Sequence, residues 1–98
     1  MCKMFVAIAC DLGSEDHREN VHRVLLQYGL KRAQEHVYES VTINPDTLPR
    51  LKKDLDGATD AYDALRIYQY PMDGGLVISS LKDKKWRKLI VSSRSAET

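Results

Sequence analysis

The sequence predicts an α+β domain in which an antiparallel sheet carries two helices on one face. Two amphipathic helical segments each follow a strand-like segment, and short strand-like segments fill most of the remaining chain. Helices that follow strands in this order pack together on one side of the sheet. The chain has 98 residues, which is enough for one domain with a thin core, because a chain of this size buries only about 60% of its unfolded surface. A dimer would give it more buried surface.

An apolar run from Met4 to Cys10 predicts the first strand. Both of its faces are apolar, so both need to be covered by other parts of the protein. The chain turns acidic at Asp11, where the strand ends and the next element begins. Ligands and metals tend to bind beyond strand ends, so a carboxylate in this position is a candidate for chemistry.

The first helix is predicted to begin at the N-cap Ser14 and to end at Tyr28-Gly29. Glu15 and Asp16 suit the positive N-terminus of a helix, and glycine is a common residue just after the last turn. The apolar positions have the spacing i, i+3, i+4, i+7 of one helix face. They are Val21, Val24, Leu25 and Tyr28.

From Leu30 to Ile43 the content of β-branched and aromatic residues rises, which predicts two short strands or one long bent strand. The sequence Asn44-Pro45-Asp46 then interrupts the chain. A second, shorter helix follows and ends at Gly57, with a narrow apolar stripe. The stripe consists of Leu48, Leu51 and Leu55.

The segment from Asp63 to Tyr70 alternates in the manner of a strand and is predicted to end at Pro71 and Gly74-Gly75. The element order up to this point is β-α-β(β)-α-β. Two further strands, Leu76 to Ser80 and Trp86 to Ser92, are predicted to flank a charged turn. Residues 1–92 therefore form the predicted single domain, and residues 93–98 form a polar tail that is predicted to be flexible.

The sheet face opposite the helices has no predicted cover. We expect a homodimer in which two chains meet through this face. The simplest use of the surplus C-terminal strands is to extend a sheet in the partner chain.

Composition excludes few classes of protein. The chain has 15 basic and 14 acidic residues, and this balance is not that of a protein whose net charge alone attracts nucleic acid. Two cysteines near the start do not imply a disulfide framework, and a reducing cytoplasm is the simpler setting. No segment approaches the ~20 apolar residues that cross a bilayer, so no membrane association is expected.

Several segments, taken in order, resemble the CRISPR-associated Cas protein two family, which consists of small adaptation subunits. The resemblance covers about residues 4 to 91 and depends on the order and spacing of its pieces. These pieces are the strand that ends in Asp11, Tyr28-Gly29-Leu30, Gln34 with Val37-Tyr38-Glu39, and Asp63 with Arg66-Ile67-Tyr68. A virulence-associated ribonuclease family with a similar fold is the nearest alternative.

The resemblance implies a ferredoxin-like β-α-β-β-α-β fold with extra C-terminal strands, helices on one sheet face and a dimer through the other. It implies that Asp11 of two subunits together holds Mg²⁺ or Mn²⁺ for endonucleolytic cleavage of RNA or DNA. It also implies a non-catalytic role, in which the dimer bridges integrase dimers of Cas protein one around DNA. The chain departs from the family at Cys10, where an aromatic residue commonly precedes the acid.

Three interpretations remain open at this level. Asp11 is catalytic and binds metal, or it only caps the first helix or accepts a hydrogen bond from a nearby backbone N–H. The dimer is a nuclease, or it is a DNA-bridging scaffold that cleaves nothing. A small-molecule regulatory domain is disfavoured, because the sequence contains no glycine-rich phosphate loop.

Four basic residues are candidates for contact with nucleic-acid phosphates. Arg18, Lys31 and Arg32 could meet the backbone, although a solvated surface explains them almost as well. Arg66 is predicted to lie inside a strand, where a charged side chain needs a partner, so a salt bridge across the dimer competes with a nucleic-acid contact.

Two other features have a simpler structural explanation. His17 could move protons near a phosphate, but a single histidine in a first helical turn is more often solvated, so we leave it out of the catalytic set. The basic stretch from Lys82 to Lys88 is explained by a hairpin turn and an edge strand that lysines protect from pairing.

Overall fold

The computed structural model describes residues 4–72 and 75–92, so the predicted tail 93–98 lies outside the described residues. The strands are β1 (Phe5–Asp11), β2 (Lys31–Gln34), β3 (Val37–Ser40), β4 (Ala64–Met72), β5 (Gly75–Lys82) and β6 (Lys85–Ser92). The helices are α1 (Glu15–Gln27) and α2 (Leu48–Gly57), and a 3-10 turn at Pro45–Thr47 leads into α2. The region from Leu30 to Ile43 thus forms two strands, one of the two predicted alternatives.

The strands form one antiparallel sheet in the order β2-β3-β1-β4-β5-β6. β1 lies at the centre between β3 and β4, and α1 connects β1 to β2 across the intervening β3. This is a split β-α-β arrangement. The architecture is therefore mixed α+β, with two helices and an antiparallel sheet, and it is compatible with a ferredoxin-like fold.

Both helices pack on one face of the sheet and form the core with it. The contributions are Val21 and Leu25 from α1, Leu48, Leu51 and Leu55 from α2, Val6 and Ile8 from β1, and Leu65 and Ile67 from β4. All of these side chains are at most 5% exposed. Because apolar burial is the main favourable term in folding, this one layer contributes most of the stability of the monomer.

The end of α1 follows directly from the local sequence. Gly29 has φ +87°, a left-handed conformation that glycine adopts without steric penalty. Its N–H donates to the carbonyl of Leu26, and the N–H of Leu30 donates to the carbonyl of Leu25 at 3.0 Å. This Schellman pattern satisfies the last carbonyls of the helix and directs the chain into β2.

The predicted end of β4 was wrong. The strand continues past Pro71 to Met72, and the register between β4 and β5 shifts between Gln69 and Met72. Proline has no N–H for the ladder, and an irregularity of this kind accommodates it without losing a regular hydrogen bond. Gly75 is the first residue of β5 and not part of a break.

The C-terminal strands continue this chain's own sheet, and their use to extend a partner's sheet stays a prediction. β5 pairs with β4, and β6 pairs with β5, so both continue this chain's own sheet. A short hairpin joins β5 to β6, so the two strands pair with each other within the chain. β6 is consequently one edge of the sheet and β2 is the other.

The sheet face opposite the helices, called here the open face, is not covered by any helix among the described residues. Residues paired across neighbouring antiparallel strands point to the same face, which assigns the side chains by register. The open face consists of Phe5, Ala7, Ala9, Asp11, Lys31, Val37, Glu39, Ala64, Arg66, Tyr68, Tyr70, Leu76, Ile78, Ser80, Lys82, Lys85, Arg87, Leu89 and Val91. Several of its large apolar side chains are about half exposed, among them Tyr70 at 56% and Leu89 at 57%.

Replacing Lys84 with methionine is expected to lower the free energy of unfolding by about 1 kcal/mol. Lys84 lies in the β5–β6 turn, and its ammonium donates to the carbonyls of Asp56 and Thr59 at the end of α2. It also pairs with the Asp56 carboxylate at 3.0 Å. Urea unfolding measures the change, with Lys53→Met on the exposed side of α2 as the control. Equal effects of the two variants would contradict this role.

Candidate metal and nucleic-acid site

Asp11 is the last residue of β1 and projects from one end of the open face. It is exposed, and its cross-strand partner on β4 is Ala64. The small side chain of Ala64 leaves space beside the carboxylate. Among the described residues, the Asp11 side chain makes no hydrogen bond or ion pair, so its oxygens are available to a ligand.

The alternative that Asp11 caps α1 is wrong. Ser14 is the N-cap, and its Oγ accepts a hydrogen bond from the N–H of His17 at 3.2 Å. The N–H of Gly13 donates to Asp63 Oδ1 at 2.7 Å. The donors near the start of the helix therefore have other partners, and Asp11 has no structural role in the cap.

Basic side chains from three strands lie on the open face at the same end as Asp11. Arg66, Ser80 and Arg87 form one lateral row across β4, β5 and β6. Lys82 and Lys85 belong to the next row, which begins with Asp11. Since neighbouring strands are about 4.8 Å apart, these cations lie along a strip that starts beside the carboxylate.

From the sequence, the basic stretch from Lys82 to Lys88 was explained only by a hairpin turn and by an edge strand that lysines protect from pairing. The strand register shows in addition that Lys82, Lys85 and Arg87 lie on the same sheet face as Arg66 and Asp11. The alternation of side chains along each strand contained this signal. It could be read only once the pairing of β5 with β6 was known.

The four basic residues singled out in the sequence separate into two pairs in the single chain. Lys31 and Arg66 lie on the open face. Arg18 and Arg32 lie on the side of the helices, where they line a groove between α1 and the β2–β3 hairpin. The Arg18 guanidinium donates to Glu15 at 3.0 Å and to the carbonyl of Leu12 at 3.1 Å.

The groove between α1 and the β2–β3 hairpin also holds His22 and Tyr38, whose Nδ1 and hydroxyl are 2.6 Å apart. Burial raises the pKa of the Tyr38 hydroxyl, and this effect outweighs the opposing hydrogen bond with Arg32. Burial also raises the pKa of the Cys10 thiol to about 12. This thiol is protonated at neutral pH and is not a nucleophile.

A buried carboxylate connects the loop after β1 to the segment before β4. Asp63 is 2% exposed. It accepts hydrogen bonds from the N–H of Gly13, from the N–H of Asp60 at 2.9 Å and from the His17 ring, whose Nδ1 lies 2.6 Å away. Sequence analysis singled out Asp63 only as part of a family motif and treated His17 as solvated.

The Asp63 carboxylate remains ionised. Burial alone would raise its pKa, but hydrogen bonds from Gly13, Asp60 and His17 act in the opposite direction and hold the pKa below its ordinary value. Hydrogen bonds to the charged form of a carboxylate have this effect. The loop that follows Asp11 is thus anchored to a fixed negative charge.

His17, Asp60 and Asp63 bring ligand atoms within 4.8 Å of one another, the spacing of a possible cation site. The Nδ1 of His17 and the Oδ2 of Asp63 are at hydrogen-bond distance, and two backbone N–H groups occupy the same carboxylate. The ligand atoms of His17 and Asp63 that a metal would use are therefore already hydrogen-bonded within the protein. Asp11 fits a hard divalent cation better, since Mg²⁺ binds one or two exposed carboxylates and keeps several waters.

Comparison with known families identifies the chain. A family model described as CRISPR associated protein Cas2 matches residues 4–89. The match spans most of the chain, and the protein belongs to this family. A search of curated proteins finds no match.

Membership of the family implies a role in CRISPR adaptation, where Cas2 proteins typically work with Cas1. The family is in general metal-dependent. Neither helix of the described chain has the length and apolar character that a membrane crossing requires.

Proposed function

We propose that two chains associate through their open faces and that the two Asp11 carboxylates together hold a divalent cation, Mg²⁺ or Mn²⁺, for cleavage of nucleic-acid phosphodiesters. The dimer acts in spacer acquisition together with Cas protein one. Nucleic acid contacts the cationic strip beside Asp11. Lys31 adds a phosphate contact from β2 on the same face, and Arg18 and Arg32 add phosphate contacts where nucleic acid also passes the groove on the helix side.

The observation that supports this proposal most strongly is the composition of the open face. At one end it holds an exposed carboxylate without a partner among the described residues, next to the cations Arg66, Lys82, Lys85 and Arg87. Apart from Lys31, Glu39 and Ser80, its remainder is apolar and includes Tyr70 and Leu89, both more than half exposed. Large apolar patches of this kind mark interfaces between proteins. A two-fold axis beside the end of β1 would supply the second carboxylate.

Different side chains of the open face bind the phosphate backbone and hold the cation. Arg66 and Arg87 neutralise and position the phosphate backbone, since Lys and Arg contacts supply most sequence-independent affinity. Asp11 of each chain would hold the cation, which when bound activates water and neutralises charge on the phosphate. Ala64 leaves room for the scissile group beside Asp11.

A second function also fits the cationic strip. The strip binds phosphates whether or not they are cleaved, so the dimer would serve equally as a non-catalytic scaffold that bridges DNA for the adaptation integrase. In that case Asp11 is dispensable for assembly, while Arg66 and Arg87 are required.

The test compares wild type with Asp11→Asn on labelled single-stranded RNA and duplex DNA, with Mg²⁺ or Mn²⁺ and with chelator. We expect metal-dependent cutting that falls at least ~10²-fold in the variant. Asp46→Asn is the matched control, because Asp46 is an exposed aspartate in the 3-10 turn before α2. Absence of cutting, or equal cutting by wild type and Asp11→Asn, would reject the nuclease and favour the scaffold.

A further inference from the structure

The contact with Asp63 assigns a proton to one particular nitrogen of the His17 ring. The carboxylate is ionised and can only accept hydrogen bonds, so the proton in the contact at 2.6 Å belongs to Nδ1 of the ring. In the neutral ring, the other nitrogen, Nε2, then carries the lone pair. It makes no hydrogen bond with the described residues, and the side chain remains 28% exposed.

The pair lies at the same end of the sheet as Asp11. Asp11 is paired with Ala64, and Asp63 immediately precedes Ala64 in the chain. On the other side, Asp63 holds Gly13, which is two residues beyond Asp11. Asp11 projects on the open face, whereas His17 belongs to the first turn of α1 on the helix side. A nucleic-acid strand that crosses this end of the sheet would pass both groups.

We propose that His17, oriented by Asp63, carries the proton in the phosphodiester cleavage proposed above. This inference depends on that function. Nε2 accepts a proton from the attacking water as the oxygen of that water forms a bond to phosphorus. The bond from phosphorus to the leaving oxygen breaks on the opposite side of the phosphorus, and a solvent water gives that oxygen a proton. The products are a phosphate monoester and an alcohol, and the imidazolium returns its proton to the solvent.

Asp63 has the role of a positioning residue in this scheme. A carboxylate at Nδ1 selects the tautomer with a free Nε2 and stabilises the imidazolium while it holds the second proton, as in other carboxylate–histidine pairs. Asp60 is the other charged group near the ring, with Oδ2 4.0 Å from Nδ1. Arg18, the next residue along α1, is paired with Glu15.

His17→Asn tests the inference, because the asparagine amide can replace Nδ1–H as a donor to Asp63 but offers nothing in place of Nε2. We expect cleavage to fall about 10²-fold or more, and free imidazole to restore part of it. The thermal midpoint should change little. The matched control is His22→Asn, since the Nδ1 of His22 on the same helix is also hydrogen-bonded at 2.6 Å, but to Tyr38. This control should retain wild-type cleavage.

Nitrogen NMR of wild-type His17 provides a readout that does not depend on activity. The expected spectrum shows a protonated Nδ1 and an unprotonated Nε2, and a short deoxyoligonucleotide added without metal should shift the Nε2 signal. The opposite tautomer, or displacement of the Nδ1 proton by stoichiometric Zn²⁺, would overturn the inference.

The cleavage results separate the two proposals. If Asp11→Asn is inactive while His17→Asn cuts at the wild-type rate, the proton role of His17 is wrong and the nuclease proposal remains. If wild type does not cut, the nuclease proposal fails, and the role of His17 fails with it.

Discussion

Replacing Asp63 with alanine is expected to lower the free energy of unfolding by about 3 kcal/mol, a large loss for a domain of this size. The change leaves the N–H groups of Gly13 and Asp60 and the His17 ring without their acceptor. It also releases the loop after Asp11 from β4. Urea unfolding followed by circular dichroism measures the loss.

Asp60→Ala is the matched control for this prediction. Asp60 is exposed, and its carboxylate accepts only the N–H of Tyr62 among the described contacts of its turn. Its removal should cost less than about 1 kcal/mol. A similar loss for the two variants would show that the buried carboxylate contributes no more to the free energy of unfolding than the exposed one.

The stabilisation from Asp63 should depend on pH in a defined direction. Its folded-state pKa is below the ordinary value of 3.8. Its contribution is therefore fully present above that value and is lost as pH falls through the lower folded-state pKa. The difference in unfolding free energy between wild type and Asp63→Ala should be constant near neutral pH and should shrink below pH ~4. A difference that grows toward acid pH would contradict the assignment.

Replacing Leu89 with aspartate is expected to convert the proposed dimer to a monomer. Leu89 lies in the lateral row that includes Ala7, Tyr68 and Ile78 and is 57% exposed in the single chain. In a dimer through the open face, the substitution places a charge from each chain in an apolar contact. Two such charges at about 1–3 kcal/mol each raise the dissociation constant by ~30-fold or more. Analytical ultracentrifugation measures the mass.

Leu26→Asp is the control for the dimer. Leu26 is 48% exposed on α1, which packs on the opposite side of the sheet, so the two substitutions change a similar exposed surface. We expect Leu26→Asp to remain a dimer. Dissociation of this variant alone would place the interface on the helix side and reject the open face as the contact.

The ends of α1 could be predicted because they depend on residues that are close together in the sequence. Ser14 and Gly29 set the ends of α1 because a cap and a left-handed residue act within a few residues of the helix. The end of β4 and the placement of β6 depend instead on which strand pairs with which. That pairing is a non-local property. A proline at an irregular position of a strand does not end it, as Pro71 shows in β4.

The residues of the candidate site also differ in whether local sequence could predict them. Asp11 was identified as a candidate because a strand end can be located in sequence. Asp63 and His17, by contrast, are separated by 46 residues and meet only through the fold. No spacing rule relates the loop after β1 to the segment before β4. The cationic strip likewise depends on the registers of three strands.

The most direct test of the central claim is the stoichiometry of Mn²⁺ binding, measured by paramagnetic resonance on wild type and Asp11→Asn. A site shared by two chains predicts one tightly bound ion per dimer and none in the variant. One ion per chain, or equal binding by the two proteins, would contradict a metal site built from paired Asp11 carboxylates.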